Sequence, residues 1–129
     1  MTIELRMLMW STLLGLAQVL LAAGASTKER GVLWNVSSRE RKMPDLTGMA
    51  GRLSRSAENF KETFPFFLAA VVLVQLTSRN SSLTATGAQL YFWCRLVYAG
   101  IYAAGVVYLR TVVWSAATLG LVLVIFGVA

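Results

Sequence analysis

Four polar residues that could hold an anionic ligand lie at helical spacing in the middle of the chain. They are Arg52, Arg55, Asn59 and Glu62, separated by three, four and three residues. At 3.6 residues per turn, all four fall on one face of a helix. Pro65 follows directly, and because proline lacks an N–H we expect a bend that frees a backbone carbonyl beside this face.

A second polar face follows further along the chain. Arg95, Tyr98 and Tyr102 are separated by three and four residues. If the two helices run antiparallel, the two faces lie at matching depth, so Glu62 and Arg95 are the expected ion pair. Seven polar residues at matched depth favour a polar ligand site, and an ion pair that only fixes helix packing is the alternative.

The residue types that are missing restrict the chemistry. The chain has no histidine and a single cysteine, Cys94. It therefore lacks the commonest general base and metal ligand, and it cannot form an internal disulfide bond. We expect no metal site, and we expect Cys94 to be a buried, unreactive thiol.

The elements that position these residues are predicted to be membrane helices. Of the 129 residues, 57% are hydrophobic and 14% are charged, against about 45–50% and 25% in a typical soluble domain. This composition argues against a disordered chain and against a soluble enzyme. In so apolar a chain, the net charge of +6 indicates loops that face the cytoplasm and anionic lipid, with no nucleic-acid partner.

Uncharged stretches predict an all-α integral membrane protein, a single domain built as a bundle of four transmembrane helices. A spanning helix needs about 20 mostly apolar residues. The predicted helices cover about residues 5–25, 53–77, 85–108 and 111–128, with a tight turn near Tyr108 to Thr111. An alternative for the first helix is a signal peptide cleaved near Ala25, but its apolar run of 19 residues exceeds the usual core of about 7–15.

The long connection over residues 26–52 sets the predicted topology. Counted together with Arg55, which lies just beyond it, this connection holds seven of the twelve basic residues: Lys28, Arg30, Arg39, Arg41, Lys42, Arg52 and Arg55. The positive-inside rule therefore places this loop in the cytoplasm and both chain termini on the other side. Within the loop, the apolar run Val32 to Val36 is expected to be solvated, and dipping into the membrane interface is the alternative.

Two segments carry a resemblance to a known family. The stretches RLSRSAENFKETFPFF (Arg52 to Phe67) and RLVYAGIYAAGVVYLR (Arg95 to Arg110) resemble the MAPEG family, membrane-associated proteins in eicosanoid and glutathione metabolism. In that family an arginine, an asparagine and a glutamate recur on the second helix. The resemblance covers essentially the whole chain and points to a bacterial branch of the family.

The resemblance implies a homotrimer in the bacterial inner membrane, with sites between neighbouring subunits. It also implies glutathione as the cofactor, bound in the cytoplasmic half of that interface. Besides further copies of the chain, the implied partners are membrane lipid and a lipophilic small molecule. By this resemblance, glutathione is bound by Arg52, Asn59, Glu62 and Arg95, and its thiolate is stabilised by Arg110 with Tyr98 or Tyr102.

Two functions remain open at this stage. The first is a glutathione-dependent transferase or peroxidase acting on lipophilic substrates, and the second is a non-catalytic lipid-binding or scaffold protein. The chain departs from the family's glutathione enzymes, which usually carry acidic residues where Gly51 and Phe60 stand here. Tyr98 stands where prostaglandin-synthase-like members carry histidine, and no second arginine accompanies Arg110. The missing acidic residues and the missing second arginine favour the second function.

Overall fold

The computed structural model describes residues 1–41 and 43–129 of the chain. These residues form five α-helices and no β-strand. The helices are α1 (Ile3–Arg30), α2 (Val32–Val36), α3 (Gly48–Leu76), α4 (Ser82–Ala104) and α5 (Tyr108–Val128). Lys42, one of the basic residues of the predicted cytoplasmic loop, lies outside the described residues.

Local sequence signals explain where α4 begins and ends. The Ser81 hydroxyl accepts from the Thr84 N–H and the Thr84 hydroxyl accepts from the Ser81 N–H, which is a reciprocal capping box. Gly105 ends the helix with a φ of 80°, a left-handed conformation that glycine adopts at little steric cost. The sequence predicted a helix that continues to Tyr108 and a turn from there to Thr111. The structure instead ends α4 at Ala104 and begins α5 at Tyr108.

Polar contacts show which helix ends lie together. The Thr84 hydroxyl donates to the Glu4 carboxylate at 2.6 Å, so α1 and α4 begin at the same end of the bundle. At the other end, Arg52 Nε donates to the Ala103 carbonyl at 3.0 Å, so α3 begins where α4 ends. We call this second end, where α3 and α5 begin and α1 and α4 end, the loop end.

The core lies among α1, α3, α4 and α5, with α4 and α5 in the most extensive contact. Gly87 of α4 and Gly120 of α5 bring the two backbones together, because a Cβ on either glycine would lie 2.6 Å from the carbonyl oxygen of the other. Small residues of this kind allow close packing of membrane helices. The core side chains include Phe67, Val71, Val74, Ala88, Tyr91, Phe92, Ala117, Leu121 and Val124.

The outer surface of the bundle is apolar. Large hydrophobic side chains such as Leu16, Leu20 and Phe126 are more than half exposed, which indicates contact with lipid. By length and composition, α1, α3 and α5 can each cross a membrane. The predicted fourth span, α4, does not meet that criterion among the described helices, since it carries the polar face that includes Arg95. That side chain is 1% exposed and points into the bundle.

Candidate functional site

A pocket of about 200 Å³ opens near the loop end, where α3, α4 and α5 meet. It is lined by Asn59 of α3, Tyr98 of α4, and Arg110, Thr111 and Trp114 of α5. We call it the polar pocket. Three of its five lining residues are predicted site residues, and they come from three different helices.

Arg95 lies beneath the polar pocket. Its Nη1 donates to Asn59 Oδ1 at 2.9 Å. The guanidinium carbon lies 4.4 Å from the centroid of the Tyr98 ring and 5.4 Å from that of Phe60, so aromatic rings cover the charge. Within the described part of the chain, Arg95 Nε and Nη2 have no hydrogen-bond partner. Arg95 therefore retains two buried donors that the rest of the chain does not satisfy.

Arg110 extends this series of contacts between cations and aromatic rings. Its guanidinium carbon lies 4.6 Å from the centroid of the Tyr102 ring, and the Tyr98 and Tyr102 rings are 5.6 Å apart. The side chains of Arg95, Tyr98, Tyr102 and Arg110 thus form a continuous series of cation–π and tilted aromatic contacts along α4 and onto α5. With Asn59, the structure brings five of the seven predicted site residues into one cluster.

The beginning of α5 gives the polar pocket a positive electrostatic character. The first N–H groups of a helix lack intrahelical partners, and the helix dipole places partial positive charge there. Val107, which precedes α5, offers no side-chain acceptor for them. Arg110, in the first turn, adds a full positive charge. An anionic group in the polar pocket would meet both sources of positive charge, as anions do at helix N-termini.

The predicted ion pair between Glu62 and Arg95 is wrong for the single chain. Among residues 1–41 and 43–129, Glu58 and Lys61 form the one salt bridge, at 2.8 Å, and Glu62 is exposed. Asn59 and Glu62 are three residues apart and so differ by about 60° in direction around α3. Comparing the depths of residues along the two helices therefore identified the correct part of α3 but the wrong side chain.

Arg52 does not line the polar pocket. Its side chain is hydrogen-bonded to the Ala103 carbonyl. That bond satisfies one of the carbonyl groups that a helix leaves free in its last turn. Arg52 therefore binds the end of α4 within the chain. The neighbouring Arg55 is exposed at the loop end.

Sequence reasoning did not assign Thr111 and Trp114 to the site. A tryptophan in a membrane helix is more typical of an interfacial anchor or a packing residue, and Thr111 falls in the predicted turn. The available signal was the four-residue spacing from Arg110 to Trp114, which puts both side chains on one face of a helix. It could not be applied because the predicted turn interrupted the helix at that point.

Packing restricts Gly51 and Phe60, the two positions at which an acidic residue was expected from the resemblance. Phe60 is 2% exposed, and it packs so closely on Gly15 of α1 that a Cβ there would lie 2.6 Å from its ring. At Gly51, a Cβ would lie 2.7 Å from the Leu46 carbonyl oxygen. A side chain at position 51 would require the Leu46 backbone to shift, and an acidic side chain at position 60 would lose the packing of the Phe60 ring on Gly15.

The sequence matches the model of a known protein family. A family model described as the MAPEG family matches residues 7–129. This range contains the whole of α2 to α5 and every residue of the polar pocket. No curated protein matches the chain at a significant level.

Proposed function

Because the chain belongs to the MAPEG family, we propose that this integral membrane protein is a glutathione-dependent transferase or peroxidase that acts on lipophilic substrates. The observation that carries the proposal is the placement of Arg110. Its guanidinium lies in the first turn of α5, on the wall of a pocket that Tyr98 also lines. A cation and a helix N-terminus together favour a thiolate over a thiol.

The proposed transferase step uses these groups directly. The glutathione thiol gives its proton to water, and the resulting thiolate is stabilised by Arg110, with Tyr98 or Tyr102 as a hydrogen-bond donor. The sulfur then forms a bond to the electrophilic atom of the lipophilic substrate, and the leaving group departs with the bonding electron pair. The chain's residues therefore supply charge stabilisation, and the reaction requires no metal and no histidine.

Glutathione also has two carboxylates and one ammonium group that must be bound. Arg95 offers two unpartnered donors to a carboxylate, and charge-assisted hydrogen bonds of this type are strong. Glu62 would accept from the ammonium group. Arg52 is expected to contribute positive charge at the mouth of the site while it remains bound to Ala103.

We propose that the protein is a homotrimer in which all four long helices span the membrane. The exposed position of Glu62 supports an assembly. A carboxylate that faces lipid at the depth of Arg95 is energetically costly, and a neighbouring subunit that covers α3 removes that cost. The site would then lie between subunits.

Turnover tests the proposed activity. We expect the purified protein to conjugate glutathione to a membrane-soluble aryl halide, with the rate saturating in glutathione. S-methylglutathione has the same charges and no thiol, so it should inhibit the reaction and form no conjugate. A rate equal to that of glutathione with empty detergent micelles would contradict the proposal.

The proposed topology places residues 26–52 in the cytoplasm. In a Cys94→Ala background, we expect Ser38→Cys to resist an impermeant thiol reagent applied to intact cells and Ser82→Cys to react. Ser82 is preferred to Ser81 because Ser81 caps α4. Reaction at Ser38 with protection at Ser82 would reverse the topology and place the polar pocket on the other side.

A non-catalytic lipid-binding protein is the second candidate. Gly51 and Phe60 favour it, since neither can supply the acidic group that the family's glutathione enzymes usually have. Purified protein that retains lipid and binds no glutathione would support this function over the enzyme.

A further inference from the structure

A long apolar groove runs between α1 and α4, on another face of α4 than the polar pocket. It consists of two adjoining cavities, of about 580 Å³ and about 300 Å³, which share Leu14 and Leu96 as lining residues. Trp10 and Trp93 border the larger cavity, and Gly100 lies in the wall of the smaller one. We call the two cavities together the α1–α4 groove.

The α1–α4 groove contains one unsatisfied polar group. Gln18 lines the smaller cavity and is 7% exposed. Its Oε1 accepts from the Ser56 hydroxyl at 2.9 Å, but its Nε2 has no acceptor among the described residues. A buried amide donor without a partner is destabilising, so an oxygen atom that enters beside Gln18 would gain a hydrogen bond.

The lining of the groove restricts what can occupy it. No charged residue lines either cavity, so a carboxylate or phosphate would be buried without a counter-charge. Between Gln18 and Met7, α1 rises about 16 Å, which is close to half of the roughly 30 Å hydrocarbon core of a bilayer. The groove therefore matches the length of an acyl chain from a single leaflet.

We propose that the α1–α4 groove binds a neutral single-chain lipophile, with a carbonyl oxygen at Gln18 and its hydrocarbon chain extending past Leu14 and Leu96 toward Met7. This site goes beyond the proposed function, since it requires neither glutathione nor the polar pocket. It would hold a lipid ester, or another uncharged carbonyl compound dissolved in the membrane. Binding would satisfy the Gln18 amide and cover Trp10 and Trp93.

Filling the smaller cavity tests the site. A Cβ added at Gly100 meets no atom within 4 Å, so Gly100→Leu should occupy the groove without straining the fold. Gly24 of α1 has equally open surroundings and does not line the groove, so Gly24→Leu is the matched control. The probe is a long-chain fatty acid methyl ester with a photoreactive diazirine on its chain, applied to the protein in lipid nanodiscs.

We expect saturable cross-linking to the groove faces of α1 and α4, reduced about tenfold by Gly100→Leu and unchanged by Gly24→Leu. Gln18→Met should weaken binding of the ester about fivefold, the effect of one neutral hydrogen bond. It should leave binding of the matching photoreactive hydrocarbon unchanged. Cross-linking that does not saturate, or that Gly100→Leu leaves unchanged, would overturn the proposal. The Gly100→Leu comparison remains decisive even if Gln18→Met fails to fold.

Discussion

Replacing Arg110 with alanine should lower glutathione turnover by about 10²–10³-fold, the effect of removing one preorganised group that stabilises a developing charge. Glutathione affinity should change much less, because the carboxylates of the tripeptide are proposed to bind elsewhere. The thiolate absorbance of bound glutathione should disappear together with the turnover. Steady-state rates with a lipophilic electrophile, together with difference spectra of the bound thiol, measure the two effects.

Two further variants make the Arg110 experiment specific. Arg110→Lys retains the positive charge and should recover part of the turnover, although lysine lacks the planar group that stacks on Tyr102. Arg79→Ala removes an exposed arginine at the opposite end of the bundle and should have no effect. If Arg110→Ala and Arg79→Ala have the same turnover, Arg110 is only a residue in the first turn of α5 and has no role in catalysis.

The second large effect concerns the hydrogen bond between Arg95 and Asn59. Asn59→Ala should lower the free energy of unfolding in detergent by about 2–3 kcal/mol, because it removes a hydrogen bond from a buried charge. Arg95→Met replaces that charge with an apolar side chain of similar length. It should lower the free energy of unfolding by less than Asn59→Ala does. In the double variant no buried charge is left unpartnered, so its destabilisation should be smaller than the sum of the two single effects.

Glu62→Gln distinguishes the observed hydrogen bond between Arg95 and Asn59 from the predicted ion pair between Arg95 and Glu62. Because Glu62 forms no salt bridge within the described residues, Glu62→Gln should leave the melting temperature of the isolated chain unchanged. Additive effects of Asn59→Ala and Arg95→Met would show that the two side chains do not interact. A large effect of Glu62→Gln would indicate that Glu62 is the partner of Arg95.

The sequence predicted the helical architecture well because the signals for it are long and redundant. Stretches of about 20 apolar residues are set by the thickness of the bilayer, and the polar faces of α3 and α4 repeat over several turns. Matching the depth of these faces placed Glu62 opposite Arg95, three residues from Asn59, which is the partner that the structure shows. Depth is a property of helix length alone, and for that reason it could be estimated from residue numbers.

Features that depend on a single residue or on side-chain direction were harder to predict. The end of α4 is decided by Gly105, which was treated as part of the helix, and this one misplacement moved Arg110 from the first turn of α5 into a predicted loop. The choice of Asn59 over Glu62 as the partner of Arg95 depends on about 60° of rotation around α3. The hydrogen bond of Arg52 to Ala103 depends on where both helices end, which hydropathy does not specify.

The contribution of packing to the site was also not predictable from residue types. Phe60 and Gly51 were interpreted as missing acidic groups, yet in the structure each is fixed by a close contact with a neighbouring segment. The packing contacts of Phe60 and Gly51 therefore explain why these residues occupy the two positions, and they do not by themselves indicate a function.

Calorimetric titration of the purified wild-type protein with glutathione tests the central claim most directly. The account predicts saturable binding at millimolar concentration or below. S-methylglutathione should bind as well, and the diethyl ester of glutathione should bind much more weakly because it lacks the carboxylates that Arg95 would hold. Absence of binding at millimolar glutathione, with the protein folded and assembled, would contradict the account and leave the lipid-binding function.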